Sequence, residues 1–199
     1  MHNDLPAEEI VRLRAGDAAA VGALLARYRE RLRRAIAWRL DRRLGKRLDV
    51  SDVLQETYAV AVRRLPEYLE RSEMPLDLWL LWLAREQVLT AHRRHLGAEQ
   101  RTLGRELPAL PVDSSACLVQ GLLAREPSPS KAVVAAEAAE RLRRALGHLE
   151  DDERDLILWK HFEQMSHREM AHLLGITEAA ASKRYLRALE KLRQLIVDA

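Results

Sequence analysis

The side chains with the clearest chemical purpose stand near the C-terminal end of the 199-residue chain. At helical spacing, Ser182, Lys183, Arg184, Arg187 and Lys191 share one face, and Ala181, Tyr185, Ala188, Leu189 and Leu192 share the other. Hydroxyl, ammonium and guanidinium groups so arranged donate to base edges and phosphates. Small residues at the start, Ala179, Ala180 and Ala181, let another backbone come close. Just upstream, Ser166 and Glu169 have capping-box spacing, Met170, Leu173 and Leu174 form an apolar face, and Gly175 stops the helix. Ile176 plugs the turn, Thr177 caps the second helix, and Glu178 suits its positive end. This is the form of a helix-turn-helix whose second helix enters a major groove. A plain helical hairpin with a solvated basic face has the same pattern.

Two further groups carry polar chemistry. Trp79 and Trp82 lead along one helix into Arg93 and Arg94, with Arg101 and Arg105 beyond. Aromatics running into cations suit single-stranded nucleic acid, which needs stacking and backbone neutralisation. They equally suit core tryptophans followed by cations that answer a helix dipole. Asp52, Gln55 and Glu56 make an acidic and amide patch on an otherwise arginine-rich region. That patch fits a partner other than DNA, or an ordinary helix surface.

Covalent and metal chemistry find little support. His148, His161, His167 and His172 form no i,i+4 pair and no cysteine lies near them, whereas a structural zinc site needs four ligands. No phosphate-binding glycine loop and no nucleophile with its base is visible. No enzyme activity, metal or cofactor is expected. Cys117 is the single cysteine, which fits a reducing compartment. The first ten residues lack the apolar segment of a signal peptide, and no run approaches a membrane span. A cytoplasmic protein without membrane insertion is expected.

The chain is 32% charged and only 5% aromatic, which favours a helical architecture over a sandwich or barrel. The spacing predicts a short helix over 6–15 stopped by Gly16, then one capped by Asp17 over about 18–43 and broken by Gly45. The latter buries Val21, Leu24, Leu25, Tyr28, Leu32, Ile36 and Leu40. Its other face carries Arg27, Arg29, Arg31, Arg33, Arg34, Arg39, Arg42 and Arg43. That face is either solvated or drawn to phosphate or an acidic partner. A third helix, capped by Asp49 or Ser51, runs to Leu65, and 66–74 reads as a connector. The helix over 75–97 is apolar nearly all round at its start, with exposed aromatic surface expected at Trp79 or Trp82. Four of the seven prolines, Pro108, Pro111, Pro127 and Pro129, mark a linker in which Leu118, Val119, Leu122 and Leu123 form one docking turn. Ser130 then caps a helix to about 149, and a further helix with an acidic start spans 151–162.

Two motif sets carry a resemblance. The segment HLEDDERDLILWKHFEQMSHREMAHLLGITEAAASKRYLRALEKLR resembles region 4 of sigma-70 family factors of the extracytoplasmic-function type. DVSDVLQETYAVAVRRL resembles region 2.2, through Asp52 and Gln55-Glu56. DLWLLWLAREQVLTAHRRHLG resembles regions 2.3 and 2.4, through Trp79-Leu80, Ala84-Arg85 and Arg93-Arg94. It departs from the usual pattern at Glu86, where many members carry Asn, and at Thr90, where they carry Asp.

The resemblance implies an all-α fold of two small helical domains, region 2-like over 6–98 and region 4-like over 131–197, joined by a flexible linker over 99–130. It implies an alternative sigma factor that binds bacterial core RNA polymerase through Asp52, Gln55 and Glu56 and directs it to promoter DNA. The melted minus-10 element would be held by Arg71, Ser72, Trp79, Trp82, Arg85, Glu86, Thr90, Arg93 and Arg94, with one base flipped out. The minus-35 duplex would be read by Thr177, Glu178, Ala180, Ser182, Lys183, Arg184 and Arg187, with Arg168 on phosphate. In the family an anti-sigma factor can mask the DNA surfaces. The competing expectation is a helix-turn-helix regulator that acts without polymerase docking.

Overall fold

The computed structural model describes residues 5–44, 48–71, 74–95, 106–123 and 132–198, which are helical without a strand. They fall into two compact units, one holding residues up to Leu40 and from Leu44 to His95, the other Asp41–Arg43 and the chain from Leu96 on. The all-α, two-unit architecture is the one the sequence implies.

In the first unit α1 (Ala7–Arg14) and α2 (Ala18–Ala37) meet at Gly16, whose φ of 72° turns the chain. Asp17 caps α2, its carboxylate accepting from the Ala19 and Ala20 amides at 2.9 and 3.2 Å. α3 (Val50–Arg71) and α4 (Leu76–His95) complete a core of Leu24, Leu32 and Ile36 against Val53, Ala61 and Leu65, and Leu78, Leu81 and Val88. The start of α4 is buried nearly all round, from Leu76 to Leu81. Asp49 rather than Ser51 caps α3. Its Oδ1 takes the Asp52 amide at 2.9 Å while Asp52 Oδ2 takes the Asp49 amide at 2.9 Å.

Three expectations need correction here. First, α2 stops at Ala37, six residues before the expected end. The buried Arg39 turns back to donate to the Ala35 carbonyl at 2.9 Å, and Leu40 and Asp41 are buried beyond the helix. Gly45 lies outside the described residues. Second, the supposed connector is largely helix, because α3 runs through Pro66 to Arg71. A proline inside a helix costs roughly 3 kcal/mol through a missing N–H and a clash. The burial of Leu65, Tyr68 and Leu69 around it offsets that cost. Third, the arginine face of α2 is partly consumed. Arg27 pairs with Glu9 at 3.0 Å and Arg31 with Asp77 at 2.6 Å, while beyond the helix Arg43 pairs with the buried Asp41 at 2.6 Å.

The second unit holds α5 (Val112–Leu122), α6 (Ala132–Gly147), α7 (Asp151–His161), α8 (His167–Leu174) and α9 (Glu178–Val197). α7 is its centre, with Leu156, Ile157, Leu158 and Trp159 all buried. Arg154, 3% exposed, donates to the Leu146 and Leu149 carbonyls and so satisfies the end of α6. The linker differs from expectation over its described part. Instead of one turn, α5 is a three-turn helix that packs on α6 through Ser115, Ala116, Leu118 and Val119. Arg143 donates to the Leu107 carbonyl at 2.9 Å and Arg193 to that of Leu122 at 3.2 Å. The expected stop at Gly97, the cap at Ser130 and Arg101 and Arg105 lie outside the described residues.

Replacing Pro66 by Ala restores an N–H for the Val62 carbonyl and removes the ring clash. The first unit gains about 1–3 kcal/mol, read as a raised thermal midpoint. A lowered midpoint would mean that the proline ring packs favourably where it stands.

Candidate nucleic-acid interface

In the first unit the aromatic and basic residues converge on one cavity. It has a volume of about 260 Å³ and is lined by Arg64, Glu67, Tyr68, Arg71, Met74, Trp79 and Trp82. An apolar cavity of about 150 Å³ already admits a benzene ring, so this one has room for a planar heterocycle. Its wall is rigid. Tyr68 stacks on Trp79 with centroids 4.4 Å apart, and the Tyr68 hydroxyl donates to the Met74 carbonyl at 2.6 Å. Burial drives the Tyr68 pKa far above the ordinary phenol range, so the hydroxyl stays a donor. Arg64 lies over the Trp82 ring at 5.1 Å, a cation–π contact at the edge of the cavity.

Of the expected minus-10 residues, Arg71, Trp79 and Trp82 meet here. Trp79 is 6% exposed and acts as wall, whereas the half-buried Trp82 presents aromatic surface. Arg85, Glu86, Thr90, Arg93 and Arg94 continue along α4 away from the cavity. Arg85 donates to Glu86 at 3.0 Å and Arg93 to Thr90 at 3.0 Å. Ser72 lies outside the described residues. Arg64, Tyr68 and Met74 are not singled out by the sequence pattern. A signal for Tyr68 is nonetheless present, since Thr57, Ala61, Leu65 and Tyr68 keep one helical stripe across Pro66.

Asp52 and Gln55 stand exposed on the first turns of α3, with Glu56 half-buried beside them. Asp52 also serves the helix cap, and Glu56 lies 4.0 Å from Arg94. Gln55 is left as a solvent-facing amide of that group.

In the second unit the helix-turn-helix forms as its sequence dictates. Ser166 and Glu169 close the reciprocal capping box, Gly175 has φ 62°, and the Thr177 hydroxyl accepts from the Ala180 amide at 3.2 Å. Ala181, Tyr185, Ala188 and Leu192 are buried. Lys183, Arg184 and Arg187 are exposed and make no ion pair among the described residues, and neither does Arg168 on α8. Thr177 and Glu178 are exposed, and Ala180 and Ser182 are half-buried at the same end. Lys191 is drawn off to Glu153 at 2.7 Å, which ties α9 to α7. Behind the basic face, His161 Nε2 is 2.9 Å from the Tyr185 hydroxyl, and the His167 ring stands 5.4 Å from Tyr185. Among the described residues no His, Cys, Asp and Glu cluster could hold a metal, and no helix is long and apolar enough to cross a membrane.

Comparison with known proteins adds an independent finding. The family described as Sigma-70 region 2 matches residues 24–96, and that described as Sigma-70, region 4 matches 139–192. With both regions present in chain order, the chain belongs to the sigma-70 family of RNA polymerase sigma factors, as a member of the extracytoplasmic-function type. It is similar to the ECF RNA polymerase sigma factor BldN of Streptomyces coelicolor, 25% identical over 96% of this chain and 66% of that relative's length. It is similar also to the RNA polymerase sigma factor CnrH of Cupriavidus metallidurans, 29% identical over 91% of this chain and 88% of CnrH. A solved structure of CnrH in complex with the cytosolic domain of CnrY shares the fold, with a TM-score of 0.60, 22% identity and 96% of each chain covered.

Burial, with Lys160 close by, holds His161 below its ordinary 6.5. The unfolded chain therefore takes up that proton first. This contribution to stability is whole above about pH 6.5 and declines as the pH falls through the window below it. Amide hydrogen exchange along α9 should quicken between about pH 7 and about pH 5.5, after correction for the intrinsic rate, and a His161→Gln variant should lose most of that change. An equal change in both proteins would remove His161 as the cause.

Proposed function

We propose that this protein is an alternative sigma factor of the extracytoplasmic-function type. It binds bacterial core RNA polymerase, directs it to specific promoters and helps to open them. Its first domain is region 2-like and its second region 4-like. The helix α5, expected in the joining segment, belongs with the second in this reading. The protein performs no catalysis of its own and acts in the cytoplasm.

The observation that carries this reading is the coexistence of two different nucleic-acid surfaces in one chain. The basic start of α9 suits duplex. Ser182, Lys183, Arg184 and Arg187 reach base edges at the minus-35 element, and Arg168 fixes register on phosphate. The aromatic cavity suits a base already out of the stack at the minus-10 element. Extrusion of a base costs a few kcal/mol. Stacking at about 1–3 kcal/mol per base, with the cations Arg64 and Arg71 beside it, offsets that cost. A free regulator of duplex DNA has no use for such a cavity. The exposed patch of Asp52, Gln55 and Glu56 is the docking surface for polymerase. CnrH is known in complex with the cytosolic domain of CnrY, which supports a protein partner, an anti-sigma factor, for this chain too.

Run-off transcription with bacterial core polymerase on a promoter library tests this. Specific starts should appear only with the protein and disappear with Gln55→Ala plus Glu56→Ala. Transcription unaffected by the protein, with tight specific duplex binding by the protein alone, would overturn the reading. In the holoenzyme, Lys183→Glu and Arg187→Glu should weaken minus-35 binding and lower its salt slope by about 1 for each phosphate that is no longer neutralised.

A further inference from the structure

α4 carries one acid where its neighbours along the same face are aromatic or polar and basic. Trp82, Glu86, Thr90 and Arg93 stand at i, i+4, i+8 and i+11, so they form one stripe that leaves the cavity at Trp82 and ends among cations. A carboxylate on a path for a polyanion repels phosphate. It suits that path only if its charge is balanced and its oxygens face a base. The first condition is met within the chain. Arg85, whose side chain is 12% exposed, donates to Glu86 Oε1 at 3.0 Å, and the Glu86 side chain is 34% exposed. That is the single hydrogen bond of Glu86 among the described residues. A carboxylate has about four acceptor sites, so most of its acceptor capacity is unused among the described residues.

We propose that Glu86 is a specificity-determining residue that accepts hydrogen bonds from the Watson–Crick edge of a guanine in the melted strand. The proposal rests on the promoter-opening reading above. Unpaired bases expose that edge. Guanine presents two adjacent donors there, N1–H and N2–H, which match an acceptor-only carboxylate. Cytosine and adenine present one amine beside a ring nitrogen acceptor, which would face the second carboxylate oxygen lone pair to lone pair. Thymine presents one imino N–H between two carbonyls. A carboxylate therefore ranks guanine first. An amide at the same place, with one donor and one acceptor, finds an adjacent matching pair on all four bases (O6 and N1–H on guanine), so it no longer singles out guanine. Arg85 holds the carboxylate in place and is a positioning residue.

The test is transcription by the complete holoenzyme from a promoter that the wild-type protein uses, randomised across its melted segment. Wild type should prefer guanine at one position by about tenfold or more, the effect of one good bidentate pair. Glu86→Gln and Glu86→Ala should each flatten that preference, with other positions unchanged. A merely structural role for Glu86 would lower transcription without changing the preferred base. Starts that depend on the protein but show no guanine preference, or one that Glu86→Gln leaves intact, would overturn the proposal and leave the sigma-factor reading standing. Absence of any protein-dependent start would overturn both.

Discussion

The stack of Tyr68 on Trp79 is the contact on which the first unit's interface depends. It lies just beyond Pro66, where a helix would ordinarily stop. Tyr68 buries its ring against α4 and ties its hydroxyl to the Met74 carbonyl, which holds the end of α3, as far as Arg71, against α4. The same contact shapes the cavity, since Tyr68 and Trp79 form one wall and Arg64, Arg71 and Trp82 stand around it. In the proposed function, a structural contact and a binding surface are the two sides of one ring pair. In that reading the preformed stack matters, because a site for an unstacked base gains most when its aromatic platform needs no ordering of its own.

The second unit solves a different problem. Reading duplex DNA requires an exposed, unpaired row of donors, and such a row contributes nothing to folding. Stability therefore comes from behind it. Trp159 and its neighbours fill the centre, Arg154 satisfies the end of α6, and Lys191 anchors α9 to Glu153. Lys183, Arg184 and Arg187 stay exposed and make no ion pair among the described residues, as the proposed duplex reading requires. The division falls within one helix: cations on the solvent side of its first half stay unpaired among the described residues, and Lys191, further along, serves packing.

Much of this is legible in the sequence because the signals are local. Asp17, Ser166 with Glu169, Thr177 and Gly175 each mark a helix boundary by their own chemistry, and each stands where expected. The departures arise where tertiary contacts override local rules. Arg39 reads as one more surface cation, but its burial and its bond to Ala35 help to end α2 early. Pro66 reads as a terminator, but the apolar stripe crosses it. The proline-marked linker reads as unstructured beyond one turn, yet α5 has an apolar face to bury, and Arg143 and Arg193 hold the Leu107 and Leu122 carbonyls on either side of it. Arg71, Trp79 and Trp82 stand out in the sequence for the downstream site, whereas Arg64 and Tyr68 do not, because the place of Tyr68 depends on α3 passing the proline and that of Arg64 on Trp82 of α4 lying beneath it.

On the proposed function, this chain allows polymerase to open DNA and holds the strand once open. Permanganate footprinting of a promoter fragment tests it most directly, because the reagent attacks thymines only where they are unstacked. With core polymerase and this protein together, reactive thymines should appear across the downstream element, and with Trp82→Ala that reactivity should fall while the upstream element stays protected. Reactivity with core polymerase alone, or none despite protein-dependent protection of the duplex, would contradict the account.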